Sequence, residues 1–181
     1  MNTGASNDLG TLERRDDGMG VLRYQRHLAH LPAKVWEALI EPAQLAGWFP
    51  TTIDGPREPG GSLRFRFENA PVDPMAGQML TFDPPSLLEF FWGDDHLRFE
   101  LSEEGGGTRL DFTVTFPQFG KAARDGAGWH VCLDKLPLVL DQQGPEPEEW
   151  PAVHPRYVAS FGEEASSVGV PPELESVHGI E

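Results

Sequence analysis

Basic residues are scarce in this 181-residue chain, which carries 14 Lys and Arg against 29 Asp and Glu, a formal net charge of −15. A surface of that sign repels phosphate, which excludes nucleic acid as an expected partner. Cysteine is scarcer still. Cys132 stands alone, so there is no intramolecular disulfide framework and no Cys-rich metal site. The six histidines, His27, His30, His96, His130, His154 and His178, lack metal-ligand spacing. No apolar run approaches the roughly 20 residues that cross a bilayer. The polar stretch from Met1 to Asp17 has no basic-then-apolar leader pattern. Glycine-rich phosphate loops, a serine nucleophile elbow and a paired-carboxylate motif are missing as well. The run Glu103-Glu104-Gly105-Gly106-Gly107 reads as a hairpin turn. These absences point to a cytoplasmic protein with no cofactor, no metal and no membrane insertion, and they assign no catalytic residue.

Aromatic and turn-forming residues, by contrast, are plentiful: 11 Phe, 5 Trp and 2 Tyr accompany 20 Gly and 17 Pro. Such a mixture predicts a sheet with many turns. Val21 to Ala29 alternates, with Leu22, Tyr24, Arg26 and Leu28 on one face, a strand signal. The period then changes. Val35, Trp36, Leu39 and Ile40 form a helical stripe behind Pro32, which suits a first helical turn. A second short helix starts at Pro42 and ends by Gly47. Between Leu63 and Phe116 the pattern returns to alternation, with Leu63, Phe65 and Phe67, then Leu97, Phe99 and Leu101, then Leu110, Phe112, Val114 and Phe116 on one face. Arg, Glu, Asp and Thr fill the other, a solvated face. From about Phe119 to Leu140 a longer helix is expected. Cys132, Leu133, Leu136 and Leu140 all fall within about 60° of Trp129 around its axis, and Pro137 is expected to kink or end it.

The acidity is uneven. From Asp141 onward nine acids face the single base Arg156, a charge of −8, which leaves −7 for the preceding 140 residues. The segment Gly144-Pro145-Glu146-Pro147-Glu148-Glu149 reads as a linker. Trp150, Val153, Tyr157 and Phe161 then recur at helical spacing, with Pro155 expected to break or delay the helix. The expected organisation is a disordered stretch over 1–10, one domain over 11–141, an extension over 142–162 that docks on it, and an acidic disordered tail over 163–181.

Strand, two short helices, a run of antiparallel strands and one long closing helix make an α+β helix-grip fold, a curved sheet wrapped around the helix. The residues Arg26, Pro32, Val35-Trp36, Leu39, Pro42, Leu45 and Trp48-Phe49, at their spacing, resemble the START-like, birch-pollen-allergen-like superfamily (SRPBCC). More narrowly they resemble the branch homologous to the heat-shock protein ninety ATPase activator. Gly128-Trp129-His130-Val131-Cys132-Leu133 is similar to the closing helix of bacterial members. The resemblance spans roughly residues 11 to 140 and implies a groove between sheet and helix. Members bind lipids, sterols, polyketides and other apolar ligands, and some are cyclases or hydrolases.

On that basis the groove is expected to be lined by Trp36, Trp48, Phe65, Phe67, Phe90, Trp92, Phe99, Phe112, Phe116, Trp129 and Leu133, with His130 as a polar contact at the edge of the helical stripe. His130 and Cys132 lie two apart on a helix and point away from one another, which argues against a nucleophile–base pair. Arg26 and Tyr24 are possible polar anchors. A buried Arg26 needs a carboxylate, and Glu68, Asp111 or a loop acid are the candidates. The expected function is binding of a small apolar or amphipathic ligand. One alternative is a protein-interaction or cochaperone-like regulatory module with a protein partner. The other is a cofactor-free cyclase, dehydratase or hydrolase working in the same pocket. Oligomeric state has no sequence signal.

Overall fold

A computed structural model of the chain describes residues 9–141 and 143–178. Seven strands form one sheet: β1 (Thr11–Arg14), β2 (Gly20–Leu28), β3 (Ser62–Phe65), β4 (Met75–Asp83), β5 (Leu87–Trp92), β6 (Asp95–Glu104) and β7 (Gly107–Phe116). Their order is β1-β2-β7-β6-β5-β4-β3, with every neighbouring pair antiparallel. Between β2 and β3 lie α1 (Pro32–Ile40) and α2 (Pro42–Leu45). After β7 a 3-10 turn (Phe119–Lys121) leads into α3 (Ala122–Asp141), and α4 (Trp150–Phe161) follows. The architecture is α+β, a curved antiparallel sheet gripping a long C-terminal helix.

Alternation builds the inner face. Leu97 pairs with Val114, Phe99 with Phe112 and Tyr24 with Phe112, and all five side chains are buried. Phe99 and Phe112 stack with centroids 4.3 Å apart, a cross-strand pair of the kind that holds a sheet together. The outer face carries its own ion pairs, such as Arg109 Nε to Asp111 Oδ2 at 3.0 Å. Gly77 on β4 permits a close approach, because a Cβ there would meet the Phe91 carbonyl oxygen at 1.9 Å. Trp129 seats α3 on this face, with its ring against Phe49, Trp92 and Phe112 at 5.2–5.6 Å.

Neither proline ends its helix. The helix α3 runs through Pro137 to Asp141, and α4 runs unbroken through Pro155. Each proline removes one backbone donor. Leu136 and Leu140 on either side of the first, and Val153 and Tyr157 around the second, are buried in the core, and tertiary packing holds both helices together.

The extension lies against α3. Trp150, Val153 and Tyr157 are buried there; Trp150 Nε1–H donates to the Arg124 carbonyl at 3.1 Å, and the Tyr157 ring lies over Gly126. Part of the tail carries short turns. Residues 164–166 and 172–178 form 3-10 turns, Ala165 is fully buried, and the Val168 N–H donates to the Gly120 carbonyl. Residues 179–181 lie outside the described residues. So do 1–8 of the expected N-terminal stretch, whereas Gly10 is buried and donates its N–H to Tyr157 Oη at 2.8 Å.

Candidate ligand cleft

A cleft of about 1170 Å³ opens where the ends of β5 and β6, the Trp48–Asp54 loop, the chain after β3, one edge of α3 and the start of the extension meet. Of the residues expected to line a groove, Trp48, Phe67, Trp92 and Trp129 do so. Phe49, Met75, Val131, Cys132 and Leu174 add to the apolar lining. Trp92 and Phe67 are half-buried and present ring surface to the opening. Two of the indole donors already have partners. Trp48 Nε1–H donates to the Ala38 carbonyl at 2.7 Å, and Trp92 Nε1–H to Thr51 Oγ1 at 3.0 Å.

The other expected lining residues belong elsewhere. Trp36, Phe65, Phe90, Phe99, Phe112, Phe116 and Leu133 are buried in the core and do not border the cleft. His130 faces α4 rather than the groove, because the docked extension covers that side of α3. It is completely buried, with Nδ1 3.0 Å from Tyr157 Oη and Nε2 3.2 Å from Asp134 Oδ2. Tyr157 Oη accepts from the Gly10 N–H and shares a second hydrogen bond with His130 Nδ1. The approach of Nε2 to Asp134 is close without being aligned for a hydrogen bond. Tyr24 donates to the Gly126 carbonyl at 2.6 Å. Burial holds both tyrosine hydroxyls above the usual phenol range.

Arg26 joins the same network. Its carboxylate is Asp134 on α3, with Nη2 3.8 Å from Oδ1, rather than Glu68, Asp111 or a loop acid. Nη1 donates to the Gln25 carbonyl, while Nε and Nη2 are buried without a hydrogen-bond partner. Tyr24, Arg26, His130, Asp134 and Tyr157 thus form a buried polar seam joining β2, α3 and α4. With His130 and Tyr157 fully buried, the seam fastens elements and offers no room for a substrate.

Charge surrounds the cleft. Lys121 Nζ bridges Asp95 at 2.6 Å and Asp125 at 3.3 Å. Arg124 Nε meets Asp125 at 2.7 Å, and Arg66 Nε meets Asp54 at 3.0 Å. Burial pushes the Asp95 carboxyl up to about 6 against the pull of Lys121. Burial also pushes the Cys132 thiol up to about 11, so at neutral pH it is a protonated, weakly nucleophilic group. Cys132, on the helical stripe with Trp129, is half-buried on the cleft edge of α3. Among the described residues no three His, Cys, Asp or Glu side chains converge on a possible metal position, and no helix is long and apolar enough to cross a membrane.

Sequence reasoning missed the cleft's polar half. A helical wheel signals one part of it, since Gly128, Val131, Cys132 and Lys135 flank Trp129 on one edge of the α3 stripe. The acids of the extension carry no such local signal.

Residues 29–141 match the family described as Activator of Hsp90 ATPase homolog 1-like protein. A search of curated proteins found no match. Among solved structures, a conserved protein of unknown function from Enterococcus faecalis aligns with TM-score 0.72 at 21% identity, covering 84% of this chain and 90% of the other. CalU16 from Micromonospora echinospora aligns with TM-score 0.63 at 21% identity, covering 84% and 92%. A protein from Nitrosomonas europaea aligns with TM-score 0.58 at 21% identity, covering 68% and 96%.

Proposed function

The chain belongs to the Activator of Hsp90 ATPase homolog 1-like family, whose fold supports a ligand-binding or regulatory module, and from that premise we propose that it binds a small apolar or amphipathic molecule in the cleft beside Trp129. The observation that carries the reading is the cleft itself, a space of about 1170 Å³ with Trp48, Phe49, Trp92 and Trp129 along its floor. A dry void of that size would cost on the order of 30 kcal/mol at roughly 24 cal/mol per Å³, above the stability of a whole domain. It persists because it opens to solvent, and an apolar occupant gains by displacing that solvent from ring surface at roughly 25 cal/mol per Å². Half-buried Trp92 and Phe67 supply surface of this kind.

Two measurements test the reading. Native mass spectrometry of the purified protein is expected to show a co-purified small molecule. A panel of fatty acids, alkyl amines and aromatic compounds is expected to include members that raise the melting temperature. Cys132→Trp, which sets an indole into the cleft from α3, is expected to reduce that rise while the protein stays folded by circular dichroism. A panel without any shift, or shifts unchanged in the variant, would refute it.

A further inference from the structure

Eight carboxylates and four basic side chains line the cleft, and the pairing among them is unequal. Arg66, Lys121 and Arg124 are each engaged by a carboxylate of the cleft itself. Glu68 and Asp94 on the sheet side, and Glu146 and Glu149 on the extension, have no ion pair among the described residues. Lys135 on α3 is the one basic side chain of the cleft in that condition. Four uncompensated carboxylates against one ammonium leave the opening negative. Below them lie rings whose faces attract cations. Part of this charge comes from Glu146 and Glu149, which lie outside the span of 29–141 matched to the family.

We infer that the occupant of the cleft is an apolar cation, a primary amine or quaternary ammonium carried on a hydrophobic body that rests against Trp92 and Phe67. The inference builds on the cleft being a ligand site. An apolar anion of the same shape would find Lys135 alone to answer its charge and four carboxylates to oppose it. Complementarity of this sort decides between partners more than it adds raw affinity, so the signature is a preference among head groups on one scaffold.

Equilibrium dialysis of the full chain at low salt, with decyltrimethylammonium, decanol and decanoate below their micelle concentrations, tests it. A second series of naphthylmethylamine, naphthylmethanol and naphthylacetate guards against a poor fit of shape. The expected order in each series is cation, then alcohol, then anion, with the spread narrowing as salt screens the rim. Glu146→Gln/Glu149→Gln is expected to weaken the cation by roughly threefold to tenfold and to leave the alcohol unchanged. Equal affinities for cation and alcohol, or a preference for the anion, would overturn the inference and leave the binding site standing. An unchanged cation affinity in the double variant would overturn the role of the extension. If no compound of either series binds, the ligand-site reading falls with it.

Discussion

Asp95 is 3% exposed, and both of its oxygens lie within 2.7 Å of Lys121 Nζ. Burial outweighs that ion pair and raises its carboxyl from 3.8 to about 6. The sign of the linkage follows: the folded state holds this proton more tightly than the unfolded chain. The contribution to stability is fully present below pH 3.8 and is lost as pH rises through about 6. Its size is on the order of 2–3 kcal/mol. Asp95→Asn cannot titrate, so the stability difference between wild type and variant is expected to change between pH 4 and 6 and to be flat above. Chemical denaturation across that range measures it, and parallel curves would contradict the assignment. The same residue shows why the cleft's polar half was hard to foresee. Its partner Lys121 is 26 positions away and across the sheet's end, and local pattern carries no information about such a meeting.

Gly126 decides how closely α4 approaches α3. A Cβ there would stand 2.8 Å from Tyr157 Cδ1 and 3.2 Å from Phe161 Cε2. Two effects oppose one another in Gly126→Ala. Alanine favours the helix by about 1 kcal/mol, whereas overpacking costs about 1–3 kcal/mol. The Tyr157 ring is pinned by Gly10 and His130 and has little freedom to yield, so overpacking wins. A net loss of roughly 1–2 kcal/mol is expected by denaturant titration, and a gain would show that α4 shifts freely on α3. At this scale much of the fold was legible. Period-two alternation identified the aromatic face, and the stripe from Trp129 to Leu140 identified the gripped helix. Alternation reports which face a side chain takes but not how far along the strand the core ends. Phe90 and Trp92 share a face of β5, yet one is sealed and the other borders the opening. A helical wheel likewise gave the angle of His130 without the element covering it.

The whole molecule carries −15, and its like charges repel one another in the compact state. Raising sodium chloride from low to physiological strength is expected to lift the melting temperature by roughly 2–4 °C, because screening relieves more repulsion than it weakens exposed ion pairs. A fall would mean that those pairs dominate. The hydrogen bond between Gly10 and Tyr157 joins positions 147 apart in the chain, and β2 pairs with β7 across a shorter but still long gap, Gly20 opposite Phe116. On a ribosome the sheet therefore cannot close until β7 has emerged, and its first strands wait longer still for the helix that secures them. Folding of this chain is governed by late, distant encounters, which are slow to form. Through most of its synthesis the nascent protein exposes an unfinished aromatic face, the species most open to misassociation.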